Sequence, residues 1–374
     1  MKFVVVSFLL LAGPIFGQEK AAPFRLSVPP KIYAVPGVPV SLYFQNAVPS
    51  QKPDGLKFEV KCTVGEVEER RWILTANHSQ VGEHDLTLTA TSADGGQKFD
   101  SVMTKIVVVP QTAGGKIDRE IRLVIVGDSL TNASLYPNEL FRLLRTPGYP
   151  QTRFIGRHHP AAAAEGVWHE GYGGWTWARF ISKWEPGNTA KDKTGNSPFL
   201  FRPEGAIKPE LDFRAYFGAH CDGRPPDYVI ILLGINDCFH PDPKDPEAVK
   251  ARIDLMLENA EIFLAALRKA APETQIGVCL TTPPNLREEA FEANYKGKYT
   301  QRGWRRIQFE LVEREIEHFK NREDENIFLV PTSLNLDPLN GYPEGNGVHP
   351  NAAGYTEIAN SIYGWLKSRF SSQK

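Results

Sequence analysis

Four short segments hold residues able to transfer an acyl group, and each lies where a strand pattern ends or a helix pattern begins. The β-branched run Ile121 to Val126 passes straight into Gly127-Asp128-Ser129-Leu130. In an open α/β sheet, ligands bind at the carboxyl ends of strands. A serine there, just before a helix, has its hydroxyl in the cleft. The helix start adds free backbone N–H groups that can receive a developing negative charge. Alone, a Gly-Asp-Ser turn is common punctuation and decides little. The second segment, His169-Glu170-Gly171-Tyr172-Gly173-Gly174-Trp175-Thr176, is dense in glycine. Glycine lets a backbone N–H approach a substrate closely. The third, Gly234-Ile235-Asn236-Asp237, follows the continuous apolar strand Tyr228 to Leu233. An asparagine at that terminus can offer its amide N–H to an oxyanion. The fourth, Asn346-Gly347-Val348-His349-Pro350-Asn351, precedes an amphipathic helix, and an imidazole moves protons near neutral pH.

In this chain order the four segments resemble the conserved blocks of the SGNH, or GDSL-type, hydrolases, a superfamily of serine esterases. The resemblance covers about Ile121 to Phe370. It implies Ser129 as nucleophile and His349 as general base. It implies an oxyanion hole built from the backbone N–H groups of Ser129 and Gly174 and the side chain of Asn236. It implies no cofactor, and a short acyl ester as substrate, with acetyl on a polysaccharide or oligosaccharide expected. The α/β-hydrolase alternative fails, because no Gly-x-Ser-x-Gly surrounds any serine.

One position departs from the family pattern. An aspartate usually stands three residues before the histidine, and here that residue is Asn346. An asparagine can accept a hydrogen bond from the ring but cannot offset the imidazolium charge. In a serine protease the same exchange costs about 10⁴ in turnover. Three readings follow. A carboxylate from elsewhere serves, with Asp337 first, then Glu344 and Glu170. Or the site is a Ser–His dyad, its ring held by Asn346 or a carbonyl. Or turnover is weak or lost, and in the latter case the chain is a carbohydrate-binding protein on the same fold. An acyltransferase would use the same residues on another acceptor. Trp168 and Trp175 flank the glycine-rich segment and are expected to stack against a sugar ring, while Trp177 and Trp184 read as helix core.

The elements around these residues divide the chain in two. From residue 25 to 110 the pattern is β, with Leu56, Phe58, Val60 and Cys62 alternating with Lys57, Glu59 and Lys61. About seven short strands separated by turns suggest a small antiparallel sandwich, similar to immunoglobulin-like modules. It is expected to fold separately and to be dispensable for hydrolysis of small esters. Residues 111–118, containing Gly114-Gly115, read as a linker. Residues 119–370 alternate strand and helix, which predicts a three-layer α/β/α, flavodoxin-like domain. Val249, Ile253, Met256, Leu257, Ala260, Phe263, Leu264 and Leu267 fall on one helix face. So do Tyr355, Ile358, Ala359, Ile362, Trp365 and Leu366.

Composition narrows the partners. With 43 basic and 44 acidic residues, no electrostatic case exists for nucleic acid or an anionic membrane. Residues 1–17 read as a signal peptide: Met1-Lys2, an apolar stretch, then Gly17. Export to the periplasm or medium is expected, with no membrane association after cleavage. Four cysteines are too few for a disulfide scaffold. Cys221 and Cys238 are the only pair close in sequence, and Cys62 and Cys279 read as buried thiols. His158, His159 and His169 match no metal-ligand spacing. Asn77-His78-Ser79 and Asn132-Ala133-Ser134 are glycosylation sequons, and a glycan on Asn132 would obstruct Ser129.

Overall fold

Continuous apolar strands are buried on both faces, and Ile121–Gly127 is buried at every position. It forms the centre of the larger of two units in the computed structural model, which describes residues 24–49, 55–145, 150–185 and 195–372. The expected signal peptide lies outside these residues.

The first unit is made of β1 (Lys31–Ala34), β2 (Pro39–Tyr43), β3 (Lys57–Lys61), β4 (Glu66–Val67), β5 (Arg71–Thr75), β6 (Gly82–Thr91) and β7 (Lys98–Val108). They form two sheets, ordered β1-β7-β6-β3 and β2-β5-β4. Seven strands in two sheets match the sandwich reading, with one correction: β1 pairs with β7 in parallel. Leu42, Trp72, Leu74, Leu86, Leu88 and Ile106 fill the space between the sheets.

The second unit contains β8 (Ile121–Gly127), β9 (Thr152–Ile155), β10 (Glu170–Gly171), the β11–β12 hairpin (Leu200–Phe201 and Glu210–Leu211), β13 (Tyr228–Leu232), β14 (Gln275–Cys279) and β15 (Ile327–Val330). Its main sheet is parallel, in the order β9-β8-β13-β14-β15. The short β10 continues the β9 edge, pairing with Val126 and Gly127. Winding reverses between β8 and β13, and such a switch point opens a crevice at the strands' carboxyl ends.

The helices are α1 (Ser129–Asn132), α2 (Leu135–Leu144), α3 (Trp177–Ser182), α4 (Phe213–His220), α5 (Ile235–Cys238), α6 (Pro246–Ala270), α7 (Glu288–Tyr295), α8 (Gln301–Phe319), α9 (Thr332–Asn335) and α10 (Ala352–Ser372). Helices α2 and α10 pack together in one layer; α3, α4 and α8 pack on α6 in the other. The buried residues of α6 are the eight the periodicity predicts. Asp245 caps this helix through Ala248 N–H and Pro246 opens it. Helix α10 lies close on β14 because Gly277 has no side chain; a Cβ there would stand 2.7 Å from the Trp365 ring.

The β unit shares buried contacts with the α/β unit. Leu334 of α9 belongs to the β unit's core, and Tyr33 and Val35 belong to the core of the α/β unit. Ser41 N–H donates to Asn335 Oδ1 at 2.6 Å. Asn46 Nδ2 donates to the carbonyls of Ser333 and Leu336 at 2.9 and 2.8 Å. Arg305 reaches the carbonyls of Gln45 and Val48. The linker is also tied down: Ala113 is buried and its carbonyl accepts from Lys367. All four cysteines are free, with Cys221, Cys238 and Cys279 buried and Cys62 half-buried, so Cys221 and Cys238 are not paired. Among the described residues, no helix is long and apolar enough to cross a membrane.

Candidate active site

Ser129 is the first residue of α1, separated from β8 by Asp128 alone. Asp128 caps the helix, its Oδ1 accepting from Leu130 N–H at 2.9 Å. The two glycines beside it are required by contact. A Cβ on Gly127 would lie 1.9 Å from Thr131 Oγ1, and one on Gly171 would lie 2.5 Å from Thr131 Cβ. Their absence lets β10 and α1 close around the serine. The backbone N–H of Ser129 has no hydrogen-bond acceptor among the described residues, as expected of a helix's first residue.

His349 reaches the serine from the other end of the chain. Its Nε2 lies 2.9 Å from Ser129 Oγ, and its Nδ1 lies 3.2 Å from Asn346 Oδ1. The same oxygen accepts the backbone N–H groups of Val348 at 3.1 Å and His349 at 2.9 Å. Those two obligatory donors fix which end of the amide faces the ring. An amide oxygen only accepts, so Nδ1 carries the hydrogen and the Nε2 lone pair faces the serine hydroxyl. Burial pushes the His349 pKa below its ordinary value, which keeps the ring neutral and able to accept a proton.

The turn Tyr172-Gly173-Gly174-Trp175 closes with Trp175 N–H donating to Tyr172 O at 3.2 Å. Gly174 has φ +73°, which a side chain would strain. It is exposed, and its N–H has no acceptor among the described residues. Asn236, at the start of α5 after β13, directs Nδ2 to Trp175 O and to Asp128 Oδ2, each at 3.2 Å. Two hydrogen-bonded groups meet at the start of α1: Ser129–His349–Asn346 on one side, and Asn236–Asp128–Leu130 N–H on the other. Asp128 is fully buried, and burial pushes its carboxyl up to about 7 against the pull of Leu130 N–H.

None of the three carboxylates expected to support His349 does so. Asp337 is engaged by Arg70 of the β unit at 2.6 Å and by Leu339 and Asn340 N–H. Burial raises its pKa, but these donors outweigh burial and hold the carboxyl below its usual range. Glu170 is buried and accepts from the Tyr172 and Tyr216 hydroxyls and Arg157 N–H. Glu344 is exposed. Trp175 is also corrected: it is 1% exposed, packed between Tyr172 and Phe180, and cannot offer a face to a sugar. Trp168 is 41% exposed and lies over the His159 ring.

Sequence reasoning missed Asn285. It is buried, donating through Nδ2 to the carbonyls of Pro343 and Asn346, both at 3.0 Å, and through its own N–H to Gly347 O at 2.9 Å. It holds the backbone on both sides of Asn346, and nothing in Pro283-Pro284-Asn285 announces this. Asp128 was read only as part of a turn, although a capping acid before a helix was a readable signal. Asn132 of the second sequon accepts through Oδ1 from His158 Nε2–H at 2.8 Å. Among the described residues no cluster of three His, Cys, Asp or Glu is placed to hold a metal.

The profile of the GDSL-like Lipase/Acylhydrolase family matches residues 123–362, well over half of the chain. No curated protein sequence matches. Among solved structures, a carbohydrate esterase family 3 from Talaromyces cellulolyticus is similar at 18% identity, covering 68% of this chain and 100% of its own, with TM-score 0.44. The Clostridium thermocellum family 3 carbohydrate esterase is similar at 18% identity, 68% and 98% coverage, and TM-score 0.41. The acetyl xylan esterase AlAXEase follows at 16% identity, 66% and 100% coverage, and TM-score 0.36. The family profile spans β8 through α10 and so includes Ser129, Asn236 and His349; the chain belongs to the GDSL-like lipase/acylhydrolase family and is a carboxylic ester hydrolase.

Proposed function

We propose that this protein is an exported esterase that removes short acyl groups, acetyl above all, from carbohydrate, using Ser129, His349 and Asn346. The observation that carries the mechanism is the line from Asn346 Oδ1 through His349 to Ser129 Oγ, with contacts of 3.2 and 2.9 Å. Ser129 Oγ attacks the ester carbonyl carbon as its proton passes to His349 Nε2. The oxyanion takes hydrogen bonds from Ser129 N–H, Gly174 N–H and Asn236 Nδ2. The intermediate collapses, and the leaving alcohol takes the proton from His349. Water then attacks the acyl-serine with His349 again as base, releasing the acid and restoring Ser129. Asn346 orients the ring but adds no charge. Trp168, exposed beside the second block, is the aromatic face offered to a sugar. Export rests on the pattern of residues 1–17. The test is acetate release from acetylated xylan by the purified protein, with p-nitrophenyl acetate as control. Turnover of neither would sink the proposal; turnover of the small ester alone would remove the carbohydrate.

Two expectations follow. Asn236→Ala should lower kcat by about 10²–10³ with KM little changed, since it removes one oxyanion donor. Steady-state kinetics on p-nitrophenyl acetate would decide it, and a loss confined to KM would assign Asn236 to ground-state binding. The second concerns pH. His349 must be neutral to accept the serine proton, and burial without a facing carboxylate lowers its pKa. The acid limb of kcat/KM should therefore lie below the ordinary imidazole value of about 6.5. Asn346→Asp adds a negative charge beside the ring, which stabilises the imidazolium. It should move that limb upward by about one unit or more. A limb that stays in place would mean that position 346 does not set the charge state of His349.

A further inference from the structure

We infer that Arg70 of the β unit is a positioning residue for the esterase site, acting on His349 through Asp337. This rests on His349 being the base. The path is continuous. Arg70 Nη2 meets Asp337 Oδ1 at 2.6 Å. The Asp337 carboxylate accepts from Leu339 N–H at 2.8 Å, Asn340 N–H at 3.1 Å and Asn340 Nδ2 at 3.2 Å. Its carbonyl accepts from Gly341 N–H at 3.1 Å. Asp337 thereby ties a tight turn, residues 337–341. That turn in turn holds Asn351: Asn351 Nδ2 donates to Asn340 O at 2.8 Å, and Asn351 N–H donates to Gly341 O at 2.9 Å. Asn351 stands two residues after His349 and starts α10 through Tyr355 N–H. Packing leaves the turn no slack, because a Cβ on Gly341 would lie 2.5 Å from Asp337 O, and one on Gly354 would lie 2.3 Å from Gly341 O.

His349 is thus held at two points. Asn285 secures the backbone before it, and the turn gripped by Arg70 secures the backbone after it. Productive proton transfer needs the ring placed to within about 0.5 Å. Arg70 lies outside the α/β core with its side chain 34% exposed, while that of Asp337 is 10% exposed, so removing Arg70 also costs some stability by leaving a buried carboxylate short of one partner. The Leu339 and Asn340 N–H groups still hold Asp337 without Arg70, so the variant should stay folded, and the melting temperature separates its effect on the fold from its effect on the site.

The test uses the full chain with Arg70→Met, Arg70→Lys and Asp337→Asn. It measures kcat and KM on p-nitrophenyl acetate, the rate at which a fluorophosphonate inactivates the enzyme, and the melting temperature. Arg70→Met should stay folded, lose about tenfold in kcat with KM within about twofold, and be inactivated correspondingly slowly. Arg70→Lys, which keeps the charge, should recover most of the loss. Wild-type kcat and inactivation rate in a folded Arg70→Met protein would overturn the inference, as would Arg70→Lys no better than Met. If Arg70→Met fails to fold, Asp337→Asn carries the same reading. It keeps an amide oxygen for the turn but removes the charge Arg70 grips, so wild-type kcat in that variant also overturns the inference. A wild-type enzyme that resists the fluorophosphonate would instead overturn the serine-esterase reading beneath it.

Discussion

Ser129→Ala will eliminate ester hydrolysis and leave the protein folded. Among the described residues, the Ser129 hydroxyl has one side-chain partner, His349 Nε2 at 2.9 Å. The helix start around it is held by other groups: Asp128 caps α1, and Thr131 Oγ1 pairs with the Tyr136 hydroxyl at 2.6 Å. Removing one partly exposed oxygen should change stability by well under about 1 kcal/mol. Turnover should fall by about 10⁴ or more, since loss of the nucleophile in a comparable triad enzyme costs about 10⁶. Hydrolysis of p-nitrophenyl acetate, with circular dichroism as the control for folding, measures both. Covalent labelling by a fluorophosphonate should vanish in the same variant. Substantial turnover in the alanine protein would mean that Ser129 is not the nucleophile, and the reaction would have to be assigned afresh.

What could be read ahead of the structure was whatever a local pattern controls. Unbroken apolar runs predicted β8 and β13, and the end of each placed Ser129 and Asn236 on the crevice. The 3.6-residue stripe predicted all eight buried positions of α6. What could not be read were partnerships made across the fold. Asp337 lies in the right loop to serve His349, but Arg70, 267 residues earlier, faces its carboxylate instead. Asn346 looked like a missing charge. Only in three dimensions do two backbone N–H groups pin its oxygen and turn it toward the ring. Trp175 sits beside Gly174 in sequence, yet the turn at Gly174 sends its side chain into the core. The parallel pairing of β1 with β7 likewise depends on strands far apart in the chain.

Deleting the β unit, residues 24–110, will leave an α/β fragment that does not fold into a soluble enzyme, although no residue of the proposed catalytic line lies in the deleted part. The reason is shared burial. Tyr33 and Val35 fill the α/β core, and the Tyr33 backbone lies so close to α10 that a Cβ on Gly364 would stand 2.7 Å from its carbonyl oxygen. Leu334 is 1% exposed and packs in the β unit's core. Burying side chains of this size contributes about 1.5–3 kcal/mol each, so the three together approach the 5–15 kcal/mol that typically holds a whole protein folded. The polar contacts weigh less. Once the unit is gone, water can satisfy Asn335, Arg305 and the carbonyls of Ser333 and Leu336, so each of those bonds is worth only about 0.5–1.5 kcal/mol. The fragment also exposes a connected apolar face on α9 and α10, which favours aggregation. Expression of residues 111–374 should yield insoluble protein, or soluble protein without a cooperative thermal transition. A soluble fragment that melts cooperatively and hydrolyses p-nitrophenyl acetate at the full-length rate would show that the two cores are separable, and the coupling of Arg70 to His349 would fail with them.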